Sequence, residues 1–301
     1  MNKLLLSYLM IVGIAGTAGA GTGVVLKRTL GPVDDVYPPG FSVDEYMDDT
    51  GTLYNEYVAN GQKPKNNATN SDLVNIALEK YKHCENSYSF GIGTAHTIIE
   101  QTIRNAQIKK ADRYFEEQIS YSNMVSVANR SIQEGKDGSI ELYKGTASAP
   151  ETASYSDKPS STYDKKGYKN YLGKSLDEMF IYIISNKTTL GSSKKSLDNG
   201  DLEIKLDLET NISTFYYKVQ MKNISGLSNL PPFSEVKLTY TLGNDLTLKH
   251  LSVDETYTAT KEGIPVPAKT HNTIEYYYFA DGVMDIPDSK TAINYSAIKG
   301  E

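Results

Sequence analysis

Cysteine is nearly missing from this chain: Cys84 stands alone among 301 residues. A single thiol excludes a disulfide within the chain and any cysteine-based zinc site. It also lies too far from the amino terminus to be a lipidated anchor residue. Tryptophan is absent, and arginine is limited to Arg28, Arg104, Arg113 and Arg130, so guanidinium forks for phosphate are scarce. With 37 acidic against 31 basic residues the net charge is −6, and no basic run is interleaved with aromatics. Nucleic acid is therefore not an expected partner.

Catalytic patterns are equally scarce. No G-x-S-x-G, P-loop, H-E-x-x-H or EF-hand loop is present. The four histidines, His83, His96, His250 and His271, include no i, i+4 pair of the kind that holds zinc on a helix. Ser192-Ser193-Lys194-Lys195 and Ser296-Ala297-Ile298-Lys299 match S-x-x-K, but no K-T-G follows them. Gly19-Ala20-Gly21-Thr22-Gly23-Val24 ends in valine and follows no strand, so it is not a dinucleotide loop. Asp254, Glu255 and Glu275 are carboxylates that pairing of neighbouring strands would bring face to face. No catalytic residue, metal ligand or cofactor is assigned, and the expectation is a non-enzymatic protein.

Long apolar runs are also lacking after the first 28 residues, which makes the one at the start informative. Leu4 to Leu26 is uncharged and is flanked by Lys3 and by Lys27-Arg28. At about 1.5 Å per residue it spans a roughly 30 Å hydrocarbon core as a helix. It reads as an uncleaved anchor through residues 4–26, or as a cleavable signal with Ala18-Gly19-Ala20 as the A-x-A site, cut near Ala20. Either way the rest of the chain is expected outside the cytoplasm, as a single-pass or secreted envelope protein of bacterial type.

Residues 29–70 read as a stalk or linker, punctuated by Gly31-Pro32, Tyr37-Pro38-Pro39-Gly40 and a polar stretch at 61–67, with one short helix near 42–59. Leu73, Ile76, Ala77 and Tyr81 follow helical spacing and predict an amphipathic helix over 71–83. The period then changes to two, giving strands at 87–95, 97–109, 112–121, 124–134 and 139–144. Residues 145–170 read as a long loop rich in Tyr, Ser and Lys, followed by a helix at 175–184. Leu202, Ile204, Leu206 and Leu208 alternate with charged residues, and strands follow at 213–221, 236–242, 246–251 and 270–279. Gly243-Asn244-Asp245 between two alternating runs is a hairpin signal. No βαβ alternation occurs. The expected fold is α+β, one large curved antiparallel sheet over residues 71–288 with a few helices packed on it and a tail at 289–301.

That order of elements resembles the periplasmic lipoprotein-carrier superfamily (LolA/LppX-like half-barrels). Carrying the resemblance are Phe215-Tyr216-Tyr217-Lys218-Val219-Gln220-Met221-Lys222, Val236 to Leu242, Asn244 to Tyr257, Thr273 to Tyr278 and Ile286-Pro287. It is a likeness of pattern over residues 71–288 without a motif, so no site residue is transferred. What it implies is a half-barrel whose sheet wraps helices and leaves a cavity for acyl chains.

Tyrosine, with 23 copies, is the residue the chain has most conspicuously. Phe215, Tyr217, Val219 and Met221 would share one strand face, as would Val236, Leu238, Tyr240 and Leu242, and Ile274, Tyr276 and Tyr278. These stripes read either as core beneath a helix or as the lining of a cavity for a lipid-like ligand, with Tyr217, Leu238, Tyr240 and Tyr276 as candidate ligand-binding residues. The alternative is a cell-surface structural or protein-interaction module with a filled core, favoured by the tyrosine-rich 145–170 segment. Protease added to intact cells or spheroplasts is expected to remove residues 29–301; a fully protected chain with an intact amino terminus contradicts the extracytoplasmic assignment.

Overall fold

The computed structural model describes residues 41–279 apart from 98, 112, 124–125, 136, 150–151, 177–181, 226 and 262. The leader, the stretch before residue 41 and the tail lie outside the described residues. A 3-10 turn (Val43–Tyr46) leads into α1 (Thr50–Ala59) and α2 (Asn70–His83). The first meander comprises β1 (Asn86–His96), β2 (Glu100–Lys110), β3 (Arg113–Tyr121), β4 (Ser126–Glu134) and β5 (Ile140–Ala149). Two short strands, β6 (Thr152–Tyr155) and β7 (Ser161–Tyr163), precede α3 (Lys165–Leu172). The second meander is β8 (Thr189–Ser196), β9 (Leu202–Leu208), α4 (Phe215–Ser225), β10 (Phe233–Leu242), β11 (Leu248–Lys261) and β12 (Ile264–Tyr278).

All strands join one antiparallel, unclosed sheet in the order β6-β5-β4-β3-β2-β1-β12-β11-β10-β9-β8, with β7 also on β5. Neighbouring strands are therefore consecutive in sequence everywhere except at the β1–β12 seam and where β7 pairs with β5. There the first and last strands pair over ten consecutive positions, from Ser87↔Tyr278 to His96↔Lys269. Glycine permits this close approach at two points. A Cβ on Gly93 would sit 2.5 Å from the His271 carbonyl oxygen, and one on Gly91 would sit 2.8 Å from the Ile274 side chain.

Four expectations need correction. Residues 213–221 are not a strand but a turn at 213–214 and helix from Phe215: Tyr217, Lys218, Gln220 and Met221 are buried, which is helical spacing. Aromatic content suggested β structure, but a short apolar run satisfies both periods. The 145–170 segment is structured, with the end of β5, β6, β7 and α3. Asp164 caps α3, accepting from the Gly167 N–H at 2.6 Å, and Gly173 (φ 75°) ends it in the left-handed conformation. Of the helix expected at 175–184, Tyr182, Ile183 and Ile184 are not helical and 177–181 lie outside the described residues. The turn after β10 runs from Gly243 to Thr247, longer than the three residues expected, with Leu246 at φ 58°. In addition α1, within the stretch read as stalk, buries Tyr57 in the core and donates its hydroxyl to the Asp245 carbonyl at 2.6 Å.

Successive residues of a strand point to opposite faces, so the register fixes which side chains share a face. One face of β9–β12 carries Ile204, Leu206, Val236, Leu238, Tyr240, Leu251, Val253, Ile274 and Tyr276, the main core beneath α1, α2 and α4. Followed across the seam, that face becomes polar: Tyr276 leads to Ser89, Gln107, Glu116 and Ser131 in one row. The other face does the reverse. The contacts of His250 with Glu275 and of His271 with Asp254 lie on its surface, while Tyr88, Ile108, Phe115, Ile132 and Tyr143 pack together beyond the seam. Tyr88 stacks on Tyr277 where the two regimes meet, with centroids 4.5 Å apart and planes 7° from parallel.

Within the apolar side of β3 and β4 sits a buried ion pair. Arg130 Nη2 donates to Glu117 Oε2 at 2.6 Å, and the guanidinium lies 4.2 Å from the Tyr155 ring centre and 5.0 Å from that of Phe115. The Tyr155 hydroxyl donates to the same carboxylate oxygen at 2.7 Å. Two desolvated charges repay their loss of hydration only when mutually paired. Glu117→Ala, which leaves the buried guanidinium without its carboxylate, is expected to lower unfolding stability by about 3–5 kcal/mol in urea titration. Glu117→Leu with Arg130→Met is expected to recover most of that loss; equal effects of the single and double variants contradict the pairing.

Candidate functional site

The four residues predicted to line a ligand site do lie on one connected cluster, but as core. Leu238 and Tyr240 come from β10, Tyr276 from β12, and Tyr217 reaches the cluster from α4 rather than from a strand. Their exposures are 2% for Tyr217, 1% for Leu238, 0% for Tyr240 and 5% for Tyr276. The covering layer is built by local signals. Thr69 and Asp72 form a reciprocal capping box that starts α2, whose Leu73, Val74, Ile76, Ala77 and Tyr81 then face the sheet. The Tyr81 ring meets the Tyr276 ring edge-on at 5.3 Å. α4 contributes Tyr217 and Met221, one turn apart.

A buried carboxyl also lies against this core, that of Glu255 on β11. Alternation places Asp254 and Glu275 on the exposed face, paired with His271 at 2.8 Å and His250 at 3.7 Å, and Glu255 on the buried one. The three carboxylates therefore do not converge. Glu255 accepts from the hydroxyls of Thr270 at 2.9 Å, Tyr217 at 3.5 Å and Tyr182. Among the described residues no cation faces it, and burial pushes its carboxyl up to about 8, against 4.5 in an unfolded chain, the Thr270 hydrogen bond pulling the other way. At neutral pH it is a carboxylic acid that can donate as well as accept. Its hydroxyl partners come from β12, α4 and the segment before β8, so Glu255 ties the cover to the sheet.

Three other buried hydroxyls on this face, those of Tyr240, Tyr257 and Tyr276, have no hydrogen-bond partner among the described residues. Burial alone raises the Tyr240 hydroxyl above its ordinary range.

Beyond the seam the polar row holds backbone and charge. Lys109 Nζ donates to the carbonyls of Tyr81 and Lys82 at the end of α2, beneath the Tyr81 ring at 4.1 Å. Gln107 donates to the Leu176 carbonyl at 2.5 Å and accepts from the Tyr81 hydroxyl at 3.2 Å. Lys174 pairs with Glu116 at 2.6 Å, both nearly inaccessible. Sequence reasoning missed these residues because a polar residue in a strand normally signals a wet face. A cleft of about 200 Å³ lies between α1 and α2, lined by Leu53, Tyr57, Pro64 and Ile76 and rimmed by the Glu56–Lys65 pair.

The four histidines stay apart, each near a surface carboxylate: His83 with Glu79, His96 with Glu100, His250 with Glu275 and His271 with Asp254. Among the described residues no group of three His, Cys, Asp or Glu could hold a metal ion. Ser192 lies on exposed β8, and Ser296 lies outside the described residues.

Because the folded state holds the Glu255 proton more tightly than the unfolded chain, its contribution is intact below about pH 4.5 and is lost as pH rises towards 8. Stability is expected to fall by roughly 3 kcal/mol between pH 5 and pH 8 through this group. Glu255→Gln should flatten that slope in denaturant titrations at the two pH values. An unchanged slope would show that Glu255 ionises freely in the folded protein.

No family model and no curated protein matches the chain. Among solved structures, a porin-like protein from Bacteroides uniformis is 12% identical, aligned over 64% of this chain and 97% of its own, with a TM-score of 0.21. A likeness that low carries no argument about fold or function. Among the described residues no helix is long and apolar enough to cross a membrane.

Proposed function

We propose that this chain is a non-enzymatic structural or protein-interaction module of the cell envelope, held outside the cytoplasm by residues 4–26. The observation that carries the proposal is the packing of Tyr217, Leu238, Tyr240 and Tyr276, none more than 5% exposed and all beneath the chain's own helices. A half-barrel carrier of the kind the sequence resembles needs that face partly empty. Here α1, α2 and α4 occupy the place an acyl chain would take, and among the described residues the histidines and carboxylates form no converging catalytic set.

The second reading, an envelope protein that binds a lipid-like ligand, is favoured by one feature. The hydroxyls of Tyr240, Tyr257 and Tyr276 are buried without partners among the described residues, and each such group costs about 1–3 kcal/mol unless something hydrogen-bonds to it. A ligand with a polar group reaching between helix and sheet would satisfy them.

Leu238→Arg separates the two readings. In a filled core the guanidinium is an unpaired buried charge costing several kcal/mol, so the variant is expected to unfold or to melt far below the wild type, whose native mass spectrum is free of lipid. A folded variant that has lost a lipid carried by the wild type supports the carrier instead.

A further inference from the structure

The two ends of the sheet are finished differently. At the β5 end the outer edge is divided between β6 and β7, which pair with Gly145–Ala149 and Ile140–Leu142 in turn. Short, interrupted edge strands are a common way to blunt an open sheet. At the other end β8 is one strand of eight residues, paired with β9 along one side only. Among the described residues no strand pairs with its outer edge. Every residue of β8 after Thr189 is exposed, and Leu190, beside a bulge, is 72% exposed.

This edge is both fixed and charged. The Ser71 and Thr189 hydroxyls lie 2.9 Å apart, and Asn70 Nδ2 donates to Ser192 Oγ at 2.9 Å, which secures β8 to the start of α2. Lys194 and Lys195 project from opposite faces of the strand. Neither forms an ion pair among the described residues: Glu203, directly opposite Lys195, bonds Lys205 at 3.3 Å instead. On a chain of net charge −6, β8 thus carries two lysines and no acidic residue along the edge that β9 leaves open.

We propose that β8 is a docking edge that takes an acidic, extended segment of another protein as an additional antiparallel strand. Backbone hydrogen bonds would supply affinity without regard to sequence, and Lys194 and Lys195 would select for carboxylates on the two faces of the incoming strand. Because β8 is already ordered by β9 and α2, little further ordering of this edge accompanies docking. Lysines on an edge ordinarily oppose pairing, and here they oppose basic or neutral strands while leaving an acidic one admissible. The inference rests on the interaction-module reading and names its surface.

The test uses the full chain and a fluorescent ten-residue probe peptide alternating glutamate with valine or threonine. A companion probe has lysine in place of glutamate. The acidic probe is expected to bind at least about tenfold more tightly than the basic one, with amide-exchange protection appearing within Thr189–Ser196. Lys194→Glu with Lys195→Glu is expected to reverse the preference. Failure of the acidic probe to bind, protection elsewhere, or a preference indifferent to the charge reversal overturns the proposal. Self-association of the chain that protects the same residues also overturns it, by making a second copy the occupant. Lipid co-purifying with the chain would count against the interaction-module reading whatever the peptides do, so the two can fail separately.

Discussion

Everything in this fold depends on the pairing of β1 with β12. Two meanders that are each local in sequence become one sheet only through this contact, the pairing with the largest sequence separation. Closing so long a loop is entropically slow, and it is offset by ten in-register positions and by glycines that let the strands approach where a side chain would clash. The register also decides the chemistry of both faces. A slip of one residue would turn Ser89, Gly91 and Gly93 outward and set Tyr88, Phe90 and Ile92 against the polar row.

The seam is where the sheet exchanges its two solvents. From β9 to β12 the helix-covered face is apolar and the other is wet, the ordinary arrangement for an antiparallel sheet with one buried side. Beyond β1 both sides are buried, one with Phe115, Ile108 and Ile132, the other with Gln107, Glu116 and Ser131. A buried polar side is stable only when its groups find partners, and here the partners include the carbonyls ending α2 and the Lys174–Leu176 segment. The polar row is thereby a structural device that positions covering elements. Glu255 does the same on the apolar side through Tyr182, Tyr217 and Thr270, with protonation at neutral pH replacing a counter-ion.

Much of the architecture was legible in the residues. The alternations that mark β1–β4 and β9, the helical spacing of Leu73, Ile76 and Ala77, and the absence of βαβ units predict an antiparallel sheet with helices on it, as observed. The errors have physical causes. Phe215 to Met221 carries enough aromatic and β-branched residues to look like a strand, yet only the helical spacing brings Tyr217 and Met221 to the same neighbours. Lys and Gly in α3 hide a helix whose clearest signals are its caps, Asp164 and Gly173. The four candidate ligand residues were found because they are apolar and periodic, which equally describes a core. Glu117, Arg130 and Lys174 carried no sequence signal, and Glu255 stood out only as a carboxylate facing Glu275, because burial here follows from contacts between elements distant in the chain.

The β1–β12 register is therefore the claim to measure, by disulfide trapping in a Cys84→Ser background. Thr94→Cys with His271→Cys places two thiols opposite one another on the same face and is expected to cross-link under mild oxidation. Thr94→Cys with Asn272→Cys, whose side chains point to opposite faces, is expected not to. The reverse outcome, or no cross-link in either pair, contradicts the seam and with it the exchange of faces on which this account of the fold rests.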